Sequence, residues 1–364
     1  MENLIAALEC RDRISGIRIH DIHGPFLENL DPMLHKPFPG LTTLSLHSTD
    51  ESVSELPETF LGGFAPRLQS FGLSGIPFPS FPKFILSCTH IIALHLYEIP
   101  SSGYISPEAM ATCLAALPNL ESLSIGFRSP PSRLLQSNPP PLTRATLPAL
   151  SSLDFSGVSE YLEDIVARID MPRLTQLNIA FFMDLIFNIP RLRHFIDHTE
   201  GLKPFNRAVI WVSGGMIQIS LEPSSRFKLT IKCERPDWQL SSMTQILSQQ
   251  SPLLSHVEQL EIWHLPWEEI EWKDDPDMDL SLWLELFCLF IAAQRLHISE
   301  RLVSPVARAL QGLTGQMATE VLPVLRTLSL EGLEPSGPVH EAMKSFATAR
   351  QLSRQPVVIQ RWGR

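Results

Sequence analysis

This chain is short of the residues on which small secreted domains and metal sites depend. Its 364 residues include five cysteines, Cys10, Cys88, Cys113, Cys233 and Cys288, odd in number, scattered, and nowhere spaced as C-x-x-C. That spacing excludes a disulfide framework and a thiolate zinc cluster, and it fits a reducing compartment, cytoplasmic or nuclear. Basic residues are in deficit: 29 Lys and Arg stand against 39 Asp and Glu, a net charge of −10. This is the wrong sign for a surface that neutralises phosphates, so no nucleic-acid partner is expected. Long apolar runs are missing too. The greasiest stretch, 282–293, is too short to span a bilayer and contains Glu285, and the opening MENLIAALECRDR carries Glu2 and Glu9 without an apolar core. Neither a membrane segment nor a secretion signal is expected. There is no G-x-S-x-G, no G-x-G-x-x-G and no Walker lysine loop. Two S-x-x-K matches, Ser80 to Lys83 and Ser225 to Lys228, lack the companion elements that would make them catalytic. The expectation is a protein that is not an enzyme and uses no cofactor.

What the chain does contain is a repeat. The segments FPGLTTLSL (38–46), APRLQSFGL (65–73), LPNLESLSI (117–125), LPALSSLDF (147–155), MPRLTQLNI (171–179) and LPVLRTLSL (322–330) share one pattern. Copies without the proline are ISGIRI (14–19), IIALHL (91–96), VEQLEI (257–262) and AQRLHI (293–298). The hexads start at 14, 41, 68, 91, 120, 150, 174, 257, 293 and 325, mostly 23 to 36 residues apart. That length suits one strand plus a returning helix, the crossover a parallel strand requires. Helical punctuation falls between them. Ser106-Pro107 suits a cap and first turn, with Met110, Cys113, Leu114 and Leu117 as the apolar stripe, and Ser159 suits a cap ahead of Leu162, Ile165, Val166 and Ile169. Pro190, Ser304-Pro305 and Pro338 are likewise placed to open helices, a use for part of the 31 prolines. One region breaks the rhythm: AVIWV, MIQISL and FKLTIKC, within 207–233, are β-rich runs joined at Ser213-Gly214-Gly215 and Pro223-Ser224-Ser225, and predict an antiparallel excursion.

The expected fold is therefore α/β: one domain over 1–364, with parallel strands on a concave face, helices on the convex side and a hairpin insertion at 207–233. The hexads resemble leucine-rich repeats, L-x-x-L-x-L-x-x-N/C, and so imply an irregular leucine-rich-repeat solenoid. The ninth position departs from that pattern, with Thr49, Ile76, Ile99, Arg128, Val158, Phe182 and Leu333 in place of Asn or Cys. Longer segments resemble the large F-box-like family of mushroom-forming fungi: ENLIAALECRDR (2–13), FLGGFAPRLQS (60–70), SGYISPEAMATCLAALPNLESL (102–123), SEYLEDIVARID (159–170), WQLSSMTQIL (238–247), TEVLPVLRTL (319–328) and PSGPVHEAM (335–343). That resemblance implies protein recognition, as the substrate-binding region of an F-box-type ubiquitin-ligase receptor. The helical F-box that docks the cullin–RING ligase adaptor is absent from the chain, so an adaptor is a partner only if an F-box lies upstream. The alternative is a stand-alone scaffold, or a degenerate or truncated gene product, without a ligase link.

Several candidate sites can be weighed. His194 and His198 have the i, i+4 spacing of a helical metal pair, but Phe195 stands where a zinc protease needs Glu, and His20 and His23 lack further ligands. No metal site is expected. The run 268–279 holds seven carboxylates and one Lys. Asp275, Asp277 and Asp279 match the start of a calcium loop, but Leu280 and Leu286 occupy its Gly and Glu positions. It reads as a solvated acidic loop or as a docking loop for a basic partner, with Trp263, Trp267 and Trp272 as anchors. The proline-rich stretch 129–148 reads as an inter-repeat loop, with an SH3 or WW ligand as the other reading. Strand alternation supplies the rest. The residues beside the core leucines face outward, and they include His95 and Tyr97 in one repeat and Glu261, Trp263, Arg295 and His297 in two others. The last four combine an aromatic anchor with charges of both signs and are the expected partner surface.

Overall fold

The computed structural model describes residues 2–130, 144–182, 187–203, 205–223, 226–265 and 279–362. Most of the proline-rich stretch and all of the acidic run except Asp279 lie outside these residues. The chain divides into two compact units, Met1–Leu177 and Asn178–Arg364.

In the first unit the hexads form β1 (Gly16–Ile19), β2 (Thr43–His47), β3 (Ser70–Ser74), β4 (Ala93–Ile99), β5 (Ser122–Phe127) and β7 (Ser152–Gly157). They pair in that order, all parallel. A two-residue pair, β6 (Ala145–Thr146) with β8 (Ile169–Asp170), stands apart. The strand β9 (Gln176–Phe182) carries the unit boundary. The registers align hexad on hexad: Gly16 faces Thr43, Thr43 faces Ser70, and Ser122 faces Ser152, each the third residue of its hexad. A single backbone device sets them. The carbonyl of the second hexad residue accepts two N–H groups from the next repeat: Ser15 O takes Thr42 N (2.8 Å) and Thr43 N (3.1 Å), and Gln69 O takes Ile92 N (2.7 Å) and Ala93 N (3.0 Å).

The second unit contains β10 (Arg207–Val212), β11 (Met216–Glu222), β12 (Phe227–Lys232), β13 (Gln259–His264), β14 (Arg295–Ile298), β15 (Thr327–Glu331) and β16 (Val358–Trp362). Its strand order is β12-β11-β10-β13-β14-β15-β16. The excursion is antiparallel, as its turn chemistry predicts, with β11 pairing antiparallel to both β10 and β12. The hairpin also returns β10 to the parallel ladder, where it pairs with β13 in hexad register, Arg207 opposite Gln259 and Trp211 opposite Trp263. The same carbonyl clamp recurs here: Asn206 O takes Glu258 N and Gln259 N, and Glu258 O takes Gln294 N and Arg295 N.

Alternation along each strand divides core from surface. In β2, Leu44 and Leu46 are buried while Thr43, Ser45 and His47 are partly exposed, and β15 repeats this with Leu328 and Leu330. Fully burying one such leucine is worth roughly 1.5–3 kcal/mol. Helices cover the core rows, as where Glu300–Gln311 packs against β13 and β15. Ser106 caps its helix, its Oγ accepting from Ala109 N at 3.2 Å, and Met110, Cys113, Leu114 and Leu117 are buried. Two sequence expectations about helix starts are corrected. Ser159 is the first helical residue rather than the cap, and its hydroxyl donates to Glu160. Pro305 lies inside the helix Glu300–Gln311, because β14 ends at Ile298 and the helix starts directly after it, with Ser299 as the cap residue. Without an Asn or Cys at the ninth position, turn serines bond the backbone of the preceding repeat. Buried Ser48 donates to Ile22 O at 2.6 Å, and Ser299 Oγ accepts from His264 N at 3.0 Å.

The last helix, Pro338–Leu352, holds the principal buried cation of the unit. Arg350 is 0% exposed, and its guanidinium donates to the carbonyls of Ala318 (2.8 Å), Val321 (3.0 Å), Pro323 (3.4 Å) and Leu325 (3.5 Å). Burial lowers its pKa. The planar fork reaches several carbonyls that converge from one turn, a geometry lysine cannot match. Arg350→Ala strands those carbonyls, so it should cost about 3 kcal/mol, and Arg350→Lys should recover less than half of that. Urea unfolding followed by tryptophan fluorescence reads both; an unchanged midpoint for Arg350→Ala would mean that water replaces the guanidinium freely.

Candidate functional site

In the second unit, β10 and β13 bring their outward residues into one network. Parallel register places Arg207 beside Gln259, Val209 beside Glu261, and Trp211 beside Trp263. His297 follows Glu261 on β14. The Arg207 guanidinium grips the Glu261 carboxylate through two bonds, Nε to Oε1 at 2.9 Å and Nη2 to Oε2 at 2.7 Å. Trp263 Nε1 donates to Oε2 at 3.1 Å, and Gln259 Nε2 donates to Oε1 at 2.5 Å. The Trp263 indole stands between Trp211, 6.0 Å away and nearly parallel, and His297 at 4.6 Å. Both indoles are half-buried, as is Arg207, whereas the Glu261 side chain is only 8% exposed.

Electrostatics follow from this geometry. Burial pushes the Glu261 carboxyl up, but hydrogen bonds from Arg207, Trp263 and Gln259 outweigh it and hold the group below the ordinary carboxylate value. The bond to Glu261 raises the Arg207 pKa. Burial pushes His297 down, against the pull of Glu261 and Glu331. Next to the network lies a groove of about 420 Å³, with Val209, Ser220 and Glu261 in its lining, Trp211 and Trp263 at one end, and Arg207, Glu222 and Lys228 at the other. The two ends of β10 that mark it, residues 207 and 211, are about 13 Å apart at the usual strand rise.

A second cluster sits on the outward face of the first unit. The His95 and Tyr97 rings stack with an interplanar angle of 3° and centroids 6.0 Å apart. Both reach Ser124, His95 Nδ1 at 3.0 Å and Tyr97 Oη, the donor, at 2.9 Å, and Ser124 Oγ donates to Asp154 at 3.3 Å. The order of bonds is not that of a nucleophilic triad, since the carboxylate meets the serine rather than the imidazole. Ser124 is 0% exposed beneath the two rings, while Tyr97 is 45% exposed.

Of the candidate residues, Glu261, Trp263 and His297 come together. Arg295 lies in the Gln259 row at the start of β14 and is exposed; the cation on Glu261 is Arg207. His95 and Tyr97 belong to the other unit, and Trp267 and Trp272 lie outside the described residues. Arg207 and Trp211 did not figure among the sequence candidates. Their signal is the dipeptide Ile210-Trp211 in RAVIWV, which repeats Ile262-Trp263 of QLEIWH in the same hexad positions. The His194 and His198 rings approach to 4.0 Å between centroids, tilted by 42°, on an exposed helix face, and among the described residues no group of three or more His, Cys, Asp or Glu is placed to hold a metal ion. Asp279 accepts from Ser281 N and Oγ at the start of the helix Ser281–Cys288. Among the described residues no helix is long and apolar enough to cross a membrane.

No protein-family model matches the chain, and no curated protein matches it. Among solved structures, the leucine-rich repeat-containing protein LegL7 from Legionella pneumophila is similar over 94% of this chain and 99% of its own, at 14% identity and a TM-score of 0.32. The assignment of a mostly parallel α/β sheet rests on the hydrogen-bond registers described above.

Two depressed pKa values act in the same direction on stability. A histidine and a carboxylate whose folded pKa lies below the unfolded one both contribute stability that is complete above the unfolded value and lost as pH falls through the folded value. Acid should therefore weaken the second unit in two steps, first through the histidine range and then through the carboxylate range. His297→Gln should flatten the first step and Glu261→Gln the second, read as the urea midpoint against pH. A midpoint that rises on acidification from pH 8 to 5 would contradict the assigned directions.

Proposed function

We propose that this chain is a protein-recognition module and that the face of β10 and β13 is where it takes a partner. The observation that carries this is the stacked, half-buried pair Trp211 and Trp263 beside an open groove, with Trp263 hydrogen-bonded to the carboxylate that Arg207 grips. Tryptophan and arginine supply most of the energy at protein interfaces, and side chains already fixed in place lose little entropy on binding. The resemblance to fungal F-box-like proteins extends the reading: a leucine-rich-repeat module that presents substrates in an F-box-type ubiquitin ligase, with the adaptor contact made by a separate F-box.

The test is quantitative capture from a mushroom lysate by the full chain, by Trp211→Ala with Trp263→Ala, and by Tyr97→Ala. A genuine partner is lost with the tryptophan pair, at about 2 kcal/mol or more per anchor, roughly 30-fold in affinity, and kept with Tyr97→Ala. Equal retention by all three overturns the site. For the ligase link, an F-box fused ahead of the chain should direct ubiquitin onto the captured partner in a reconstituted cullin–RING assembly; binding without transfer favours a stand-alone scaffold.

A further inference from the structure

The strand-start edge of the second unit differs from the same edge of the first. A two-residue turn precedes each hexad after the first, and in the first unit these turns are Pro39-Gly40, Pro66-Arg67, Thr89-His90, Pro118-Asn119, Pro148-Ala149 and Pro172-Arg173 before β2, β3, β4, β5, β7 and β9. In the second unit the corresponding turns before β14 and β15 carry Ile291 and Val324, which are 55% and 45% exposed. Branched apolar side chains therefore face solvent at turns where the first unit carries proline, glycine, alanine or a polar residue, and the turn itself does not require them. They line a cleft of about 1050 Å³ that also includes Phe205 and Pro223. Arg226, before β12, and Arg326, before β15, line it as well, and both are exposed. Among the described residues neither arginine has an ion-pair partner. In a chain of net charge −10 this edge places a cation at each end of a cleft whose exposed apolar side chains lie towards Arg326.

We propose that this cleft is a second docking surface, for an extended segment of a partner protein that carries carboxylates at both ends and branched apolar residues between them. Charge sets the pattern. Arg226 and Arg326 stand five strand spacings apart, about 24 Å, in the order β12-β11-β10-β13-β14-β15. An extended peptide covers that span in about seven residues. Glu258, exposed within the cleft, disfavours acid at the centre and so confines the carboxylates to the ends. Ile291 and Val324 lie towards the Arg326 end and take the apolar side chains.

A displayed library of random nonapeptides, panned on the full chain, tests this independently of the tryptophan face. Selected peptides should carry Asp or Glu near both ends with Leu, Ile or Val between. Arg226→Glu with Arg326→Glu should weaken them at least tenfold and, in a fresh selection, shift the ends to Lys and Arg. Ile291→Ser with Val324→Ser should also weaken them at least tenfold, whereas Trp211→Ala with Trp263→Ala should leave them unchanged. All four cleft substitutions are on exposed side chains, and matched thermal melts verify folding. Failure to select any peptide, selection of basic or featureless ones, or indifference to both cleft variants overturns the proposal. So does a concentration-dependent dimer broken by the same variants, since the occupant would then be a second copy of the chain.

Discussion

A single carbonyl oxygen at the second position of most hexads, from Ser15 to Gln294, governs what the rest of the chain can do. It accepts two amide protons from the following repeat, so that consecutive residues of the next strand are pinned at once: Thr42 O holds Gln69 and Ser70, Glu121 O holds Ser151 and Ser152, and Gln294 O holds Arg326 and Thr327. A parallel pair joined by a long crossover has no tight turn to fix its register, and a slip of one residue would exchange core and surface rows. The double acceptance removes that freedom. Leu44, Phe71, Leu94, Leu123 and Leu153 then fall in one buried row.

The hairpin insertion is consistent with the same constraint. An antiparallel pair interrupts a parallel ladder, yet β12 runs parallel to β10 because two reversals cancel, and β10 rejoins the ladder through the clamp at Asn206. The detour adds a repeat-like strand in which Arg207, third in its hexad, and Trp211, directly after the hexad, enter the outward rows beside Gln259 and Trp263. Without it, Glu261 would have no arginine.

Register was legible in the residues because it depends on a local pattern: every L-x-x-L-x-L start coincides with a strand start at the third residue. The antiparallel excursion was legible for the same reason, through its turn serines and glycines. The network on Glu261 was legible only in part. Glu261 and Trp263 sit in a recognisable hexad, but Arg207 follows Phe205 and precedes Ala208, which replace the expected leucines, so its strand does not advertise itself. The burial of Ser124 was not legible at all. It depends on His95 and Tyr97 leaning across from β4, a tertiary fact that alternation alone does not contain. Helix starts failed where serine and proline offered two openings close together, as at Ser299 and Ser304.

Arg350 and Glu261, buried ionic groups of the second unit, show how one physical cost serves different ends. Arg350 is neutralised by no acid; convergent carbonyl dipoles satisfy it, and it ties the last helix to the turn before β15. Its environment is closed, so its contribution ends with folding. Glu261 is satisfied by donors that are themselves half-buried, Arg207 and Trp263, and their outer sides still line an open groove. A buried carboxylate held by several hydrogen bonds cannot relax without stranding its charge, which fixes the angle at which Trp263 meets solvent. The folding reaction has thus already ordered the side chains that a partner would otherwise have to order on binding, and this is the physical basis for placing recognition on β10 and β13.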